Sequence, residues 1–578
     1  MEASLPRSIA RTLGVTLLAV GLWFPAAVSA NGLSGAYLAA RQASYVGDYE
    51  AAAKYYNQAL FHDPANPQLL ERAVLANISL GNLDRAVELG QRLVNTGERS
   101  QIAQIALIAG EAKREAYTEI LSRLRDDLGV GPLIDGLAEA WAEMGRGDMS
   151  AALVAFDEMS EQRGLEGFAL YHKALALSSV GDHESAEAIF DSDSVGAMRM
   201  TRRAVIAQVE ILSQLERNDD ALKLIDTAFD KGIDPGIDQL RKRLEQGEQL
   251  PWTAVSGARQ GIAEVFYTLA AALSNEADDD YTLLYSRVAE YLRPDHVDAI
   301  LLSADMLERL EQHDLAVATY KRVPRDHPAY HAAELGRADA LRADGKVDAA
   351  VEVLESLAET HGNLAVVQST LGDLMRQLER YDDAVKAYDR ALALFDTPEP
   401  TQWFLYYARA ISHERQGNWP QAEADFRAAL ALNPEQPQVL NYLGYSLVEK
   451  NEKLDEALGM IERAVAARPD SGYIVDSLGW VLYRLGRYEE AVGHMERAAE
   501  LMAIDPVVND HLGDVYWSVG RKLEAEFMWK RALSFVDSEV ASDEVDPERI
   551  RRKLEVGLDR LLAEEGAPPL KVANDNGG

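Results

Sequence analysis

A spacing of 34 residues recurs along this chain and constrains its fold more than any other feature. The same small and apolar residue types return at that interval toward the C-terminal end. The interval separates Leu478 from Leu512, Gly479 from Gly513, Gly486 from Gly520, and Ala491 from Ala525. Because 578 residues exceed what one core usually holds, we predict an array of similar units that bury their core between neighbours.

Each unit is predicted to fold as two antiparallel helices with a glycine turn between them. Gly486 should end the first helix in a left-handed conformation, which costs glycine little free energy. Small side chains let two helix backbones approach closely, and Gly479 with Ala491 is the expected contact of this kind. Tyr488 follows the turn and is expected to cover the seam between the two helices.

This pattern resembles the tetratricopeptide repeat (TPR) family over about residues 33–538. The family signature of leucine-glycine, tyrosine and alanines is matched by Leu478, Gly479, Tyr488, Ala491 and Ala498. The closing proline of the signature is replaced in this unit by Ala503. The resemblance implies an all-α solenoid of stacked helix pairs, a right-handed superhelix with a C-terminal capping helix, whose main activity is to bind other proteins.

Composition changes along the chain predict six segments. Pro251 and Gly257 interrupt the helical pattern and mark a hinge, whereas Asp546 followed by Pro547 marks the start of a capping helix. The segments are a signal peptide (1–30), an N-terminal solenoid (31–247), a linker or hinge (248–260), a C-terminal solenoid (261–540), the capping helix (541–565) and a disordered tail (566–578).

The N-terminal segment has the pattern of a secretory signal. Arg7 and Arg11 precede an apolar run at residues 13–28, and small residues up to Ala30 form a cleavage site. The run is interrupted by Pro25 and is shorter than the twenty or so residues that span a bilayer. We therefore expect export to the periplasm with cleavage near Ala30; the alternative is an uncleaved anchor in the inner membrane formed by residues 13–28.

The overall composition disfavours several classes of function. The formal net charge of −36 repels nucleic-acid phosphates, and the absence of cysteine excludes disulfides and thiolate chemistry. The sequence holds none of the searched zinc-protease, phosphate-loop or serine-hydrolase motifs. We predict that the chain is not an enzyme, and we assign no catalytic residue, metal site or cofactor.

A binding surface is predicted where the first helices of the last three repeats face inward. Counting the first residue of a repeat as one, positions two, five, nine and twelve are expected to face inward and to bring aromatic and polar side chains together, with Tyr473 at position two. The predicted site residues are Asn441, Tyr445, Asp476, Trp480, Tyr483, Asp510, Asp514 and Trp517. Such a mixture suits a neutral or basic peptide segment. The alternative is that these aromatic residues pack between neighbouring helices.

Residues 441–498 and 511–533 look like the C-terminal part of Gram-negative envelope TPR proteins. One such group comprises outer-membrane lipoproteins that present cell-wall hydrolases to a carboxyl-terminal processing protease. The resemblance implies an envelope adaptor whose partners include such a protease and such hydrolases. The chain departs from the group at its anchor, because Asn31 stands where the lipid-bearing cysteine is expected. The alternative function is a structural subunit of a polysaccharide-secretion or outer-membrane assembly system.

Overall fold

The computed structural model describes residues 32–570 apart from 193–194, 197, 199–200, 231, 233 and 537–544. The predicted signal peptide and the end of the predicted tail lie outside these residues. The described chain consists of α-helices joined by short turns and contains no β-strand in those ranges, which confirms the all-α prediction. It divides into two compact units, Met1–Ala350 and Val351–Gly578.

The helices of the first unit form successive antiparallel pairs. Their bounds are α1 (Leu33–Tyr45), α2 (Tyr49–His62), α3 (Pro67–Ser79), α4 (Leu83–Val94), α5 (Gln101–Lys113), α6 (Tyr117–Arg125), α7 (Pro132–Gly145), α8 (Met149–Ser160), α9 (Glu166–Ser179), α10 (His183–Phe190), α11 (Arg202–Gln214), α12 (Asn218–Ala228), α13 (Pro235–Glu245), α14 (Ala258–Leu273), α15 (Asp279–Leu292), α16 (Val297–Arg309), α17 (His313–Tyr320) and α18 (Tyr330–Ala343).

The boundary between the two units falls within α19 (Val347–Thr360). The helices that follow in the second unit are α20 (Ala365–Gln377), α21 (Tyr381–Leu392), α22 (Trp403–Arg415), α23 (Trp419–Leu432), α24 (Pro437–Glu449), α25 (Leu454–Ala467), α26 (Gly472–Arg484), α27 (Tyr488–Leu501), α28 (Pro506–Ser518), α29 (Lys522–Phe535), α30 (Pro547–Val556) and α31 (Leu558–Glu564). None of the helices in the described part of the chain is both long and apolar enough to cross a bilayer.

Local chemistry explains where the helices begin and end. Asn66 and Asp505 accept hydrogen bonds from the first helical turn, and a proline follows each of them, where its missing N–H costs nothing. Gly486 takes the predicted left-handed conformation with φ of 77°. Glu379 and Glu311 take the same conformation with φ of 58° in turns that lack glycine, at a cost in backbone strain.

Within a pair, the conserved small position of the first helix meets a large side chain of the second. A Cβ placed on Gly479 would overlap the side chain of Met495, which approaches this glycine more closely than any other side chain. Gly513 faces Trp529 and Gly372 faces Tyr388 in the same way. The glycine therefore makes room for a bulky residue one helical turn beyond the predicted alanine.

In the first unit, the side formed by the first helices of the early pairs is already occupied. Helix α14 packs on α7 and α9, and α15 packs on α3 and α5. Trp141 of α7 is completely buried, and a Cβ on Gly261 of α14 would overlap its indole ring. His172 of α9 accepts a hydrogen bond from Trp141 Nε1 at 3.2 Å and contacts Thr268 of α14. These contacts leave no open surface beside Trp141.

The predicted linker at 248–260 lies inside the first unit, and the two units divide much later in the chain. Leu250 and Val255 are fully buried in this segment. Thr253 donates its backbone N–H to Glu210 at 2.8 Å, and Arg293 donates to the carbonyl oxygen of Ala254 at 2.5 Å. Hydrogen bonds thus hold the segment to α11 on one side and to Arg293, which follows α15, on the other.

Candidate functional site

The candidate site lies on the surface formed by the first helices of the pairs in the second unit, which we call the inner surface. It comprises α20, α22, α24, α26 and α28, and neighbouring members of this series contact one another. Its most exposed apolar residues occupy position two of their repeats. These residues are Val366, Phe404 and Tyr473, which are 47%, 44% and 47% exposed. Large apolar side chains that are left in solvent at one register position are typical of a docking surface.

A cavity of about 350 Å³ opens on the inner surface between α24, α26 and the start of α28. Three of the predicted site residues line it: Asn441, Tyr445 and Asp476. Tyr473 also lines it from position two of α26. The cavity therefore combines aromatic walls with an amide and a carboxylate, as predicted for a peptide-binding surface.

Asn441 has the strongest unmet hydrogen-bonding capacity in this cavity. Its side chain is 7% exposed, and among the described residues no donor reaches its buried Oδ1 atom. Burying an unpaired amide oxygen costs about 1–3 kcal/mol, so such groups usually serve a purpose. An amide at the wall of a cavity can pair with the backbone of an incoming peptide.

Beside the cavity, Trp480 is the centre of a stack of rings. The centre of its ring lies 3.9 Å from the ring centre of His511 and 4.8 Å from that of Tyr483, and the ring is nearly parallel to both. Trp480 Nε1 donates to Glu449 Oε1 at 2.7 Å, and His511 Nδ1 lies 3.0 Å from the Asp476 carboxylate. Trp480 is half-buried and Tyr483 is buried, and both pack beside the cavity without lining it.

The charge of His511 depends on that neighbour. Burial by itself lowers the pKa of His511, but the carboxylate of Asp476, followed by those of Asp510 and Asp514, raises it above the ordinary 6.5. The protonated imidazole then compensates the buried carboxylate of Asp476 and orients it. Protonation of His511 thus affects both the stack and the cavity wall.

The remaining three predicted site residues are engaged by the C-terminal helices of the same chain. Lys553 of α30 is fully buried and places its Nζ atom 2.8 Å from Asp510 and 2.6 Å from Asp514. Trp517 donates to Asp559 at 2.9 Å and packs against Gly557. The structure therefore brings Asn441, Tyr445 and Asp476 together at an open cavity and covers the corresponding residues of the last repeat.

The predicted site did not include the exposed residues at position two. Phe404 and Val366 lie in repeats that precede the three from which the site was predicted, whereas Tyr473 was expected to face inward but was not among the predicted site residues. The signal was available, because the repeat register that places Asn441 at position five also places Phe404 at position two. Extending the register by two repeats would have found both residues.

A second cavity of about 310 Å³ lies in the first unit between α11, α13 and the start of α16. Arginines line it, yet they are paired within the chain. Arg203 bonds both oxygens of Glu264 and reaches Asp298 at 2.7 Å, while Arg202 pairs with Asp234 at 2.6 Å. This network connects α11 to α14 and α16, and it pairs both guanidinium groups with carboxylates of the chain itself.

Metal chemistry finds no support in the part of the chain that the structure describes. No group of three or more His, Asp or Glu side chains is arranged there to hold an ion. His172 has a pKa lowered by burial to about 4, while His511 contacts Asp476 and His296 contacts Glu264.

Comparison with known proteins agrees with this architecture. A model of the tetratricopeptide repeat family matches residues 37–101, 301–363, 369–411, 407–471 and 447–506. These segments match the tetratricopeptide repeat. Three of them carry α22, α24 and α26 of the inner surface. Arrays of such repeats present extended surfaces for protein–protein contacts.

One curated relative is similar over most of its length. A TPR repeat-containing protein of Pseudomonas aeruginosa is 26% identical over 437 residues, which span 73% of this chain and 72% of that protein. Among solved structures, the APC/C hetero-tetramer Cut9–Hcn1 is 14% identical with a TM-score of 0.37, covering 91% of this chain and 96% of that one. Yeast Tom70 is 16% identical with a TM-score of 0.28, covering 92% and 98%.

Proposed function

We propose that this chain is an exported TPR scaffold that binds a segment of a partner protein on the inner surface of its second unit. The observation that carries the proposal is the open cavity beside Tyr473. In it, no hydrogen-bond donor of the described residues reaches the buried amide oxygen of Asn441. The exposed aromatic residues at position two supply apolar contact, and the amide pairs with the backbone of the segment. Aromatic anchors beside a few polar groups are the usual composition of energetically dominant binding sites.

The proposed role is that of an adaptor or assembly factor in the bacterial envelope. The resemblance of residues 441–533 to envelope adaptor proteins supports it, as does the signal-like pattern of residues 1–30. The proposed partners are a periplasmic processing protease and cell-wall hydrolases. The proposed compartment is the periplasm, to which a signal of this pattern directs a chain.

Capture from an envelope extract tests the proposed surface. The wild-type chain is expected to retain a protease together with wall hydrolases, identified by mass spectrometry. Phe404→Ala with Tyr473→Ala should lose that set, because truncating aromatic anchors that become buried in a complex costs about 2 kcal/mol or more each. The control is Phe527→Ala, which truncates an exposed aromatic residue of α29 that lies outside the inner surface.

The outcomes of this capture separate the two proposed roles. Equal capture by the double variant and the wild type would exclude the inner surface as the binding site. Recovery of polysaccharide-secretion or outer-membrane assembly components in place of the protease would favour the alternative, a structural subunit of such a system. Cell fractionation with N-terminal sequencing tests export, since cleavage after Ala30 leaves a mature chain that begins at Asn31.

A further inference from the structure

Helix α30 shows which chemical group the inner surface of the last repeat binds. Lys553 reaches both Asp510 and Asp514 of α28 and is completely shielded from solvent. Its Nζ atom also lies 5.8 Å from the centre of the Trp529 ring. Positions five and nine of this repeat therefore bind an ammonium group between carboxylates, with an aromatic face behind it.

The helix that provides this lysine is basic and amphipathic. Four of the ten residues of α30 are Arg549, Arg551, Arg552 and Lys553, although the chain as a whole is strongly acidic. Its apolar side is anchored by Ile550, which is buried in the core of the second unit. A basic helix with one apolar side is thus the segment that the chain itself places against α28.

One repeat earlier, the equivalent positions lie beside the open cavity. Asp476 stands at the position of Asp510, and Trp480 stands at that of Asp514. The cavity beside them is lined by four carboxylates and two basic side chains, so its net charge is negative. Its charged lining residues are Glu414, Glu449, Asp476, Asp505, Arg415 and Lys450.

Neighbouring groups determine which carboxylates an incoming cation would meet. Asp476 is already compensated by His511, whereas Glu449 lies at the rim with its side chain 44% exposed. Glu449 has Arg484 at 3.0 Å on one side and faces the cavity on the other. A lysine or arginine entering the cavity would share Glu449 and lie against the Tyr445 and Tyr473 rings.

We infer that this cavity binds a basic amphipathic helix of a partner protein, which places a lysine or arginine beside Glu449 and an apolar side chain against Tyr473. The inference rests on the proposed function and names the chemistry of the partner segment. In this arrangement the partner helix offers the cavity the chemistry that α30 offers α28, which is a cation beside carboxylates with an aromatic ring next to it. An extended segment would lack the helix that presents both side chains, and an acidic segment would lack the cation.

Binding of synthetic peptides to the full chain tests the inference. Two helical peptides share one apolar face and differ only in lysine or glutamate at the positions that face the cavity; a third contains the lysines with a central proline that breaks the helix. Fluorescence anisotropy should give a dissociation constant at least about tenfold lower for the lysine helix than for either of the others. That advantage should shrink as salt screens the rim charges.

Matched variants locate the contact. Glu449→Gln keeps an acceptor for Trp480 and should weaken the lysine helix by about fivefold to tenfold, with little effect on the glutamate peptide. Glu462→Gln, which changes an exposed acid on α25, should leave both affinities unchanged. Equal binding of the lysine and glutamate helices, or an unchanged affinity in Glu449→Gln, would overturn the inference.

The peptide result also distinguishes the inference from the function on which it rests. If no peptide binds while capture from the extract still depends on Phe404 and Tyr473, the basic-helix inference is wrong and the scaffold function stands. If no peptide binds and that double variant captures partners as the wild type does, both proposals are wrong. Tighter binding of the proline-broken lysine peptide would replace the helix by an extended basic segment.

Discussion

Gly479 shows at the scale of one residue how the repeat builds its core. The side chain of Met495 fills the space in which a Cβ would stand, so the glycine is required by packing and not by backbone conformation. Gly493 lies in the middle of α27 with an exposed surface and no atom near the position of its Cβ. Within one helix pair, packing thus requires a glycine at Gly479 and leaves room for a side chain at Gly493.

Replacement of these two glycines by alanine should therefore change stability in opposite directions. Gly479→Ala is expected to destabilise the second unit by about 1–3 kcal/mol, because overpacking displaces Met495. Gly493→Ala should stabilise it by about 0.5–1 kcal/mol, since alanine costs less backbone entropy in a helix. Urea denaturation followed by circular dichroism measures both. A stabilising Gly479→Ala would contradict the packing of Met495 against that glycine.

A second prediction at the residue scale concerns pH. The pKa of His511 is raised in the folded chain above its unfolded value of 6.5, so its protonated form favours folding. This contribution is fully present below about pH 6.5 and is lost as the pH rises through the raised pKa. The difference in Tm between the wild type and His511→Gln should therefore be largest in acid and should shrink in alkali. A difference that grows with pH would show that Asp476 does not stabilise the imidazolium.

At the scale of helices, the sequence predicted where helices begin better than it predicted the contacts between distant helices. The repeat register predicts starts near residues 67, 202, 297, 365 and 437, and α3, α11, α16, α20 and α24 begin at these residues, because small and apolar residues fix the local pairing. The sequence predicts α30 as a capping helix from Asp546 and Pro547, but it does not predict the contact by which α30 covers α28. That contact depends on a buried lysine between two carboxylates, and neither residue type follows the repeat pattern.

That lysine gives the prediction at this scale. Lys553→Met should destabilise the second unit by about 3–5 kcal/mol, because Asp514 would remain buried without its closest cation. Adding Asp510→Asn and Asp514→Asn should restore part of the loss, since neutral amides no longer need a counter-charge. Urea denaturation of the single and triple variants measures this coupling. If Lys553→Met alone were neutral, the ion pair would not hold α30 in place.

At the scale of the molecule, the two units use their first helices differently. In the first unit α14 and α15 fill the surface of α3, α5, α7 and α9, whereas in the second unit the surface from α20 to α26 stays open. The repeat period could not predict this difference, because it reports contacts between neighbours and not the return of a distant helix pair. Residues such as Glu264, which is fully buried and paired with Arg203, carry that information without periodicity.

Two compact units predict two unfolding transitions. Trp141→Ala should shift only one of them by about 3–5 kcal/mol, because it removes a fully buried indole that packs on Gly261 in the first unit. Lys553→Met should shift only the other transition, since Lys553 and its partners all belong to the second unit. Urea titration followed by circular dichroism, with limited proteolysis at intermediate urea, assigns each transition to its unit. A single transition that both variants shift equally would mean that the chain unfolds as one cooperative body, as closely coupled repeats do.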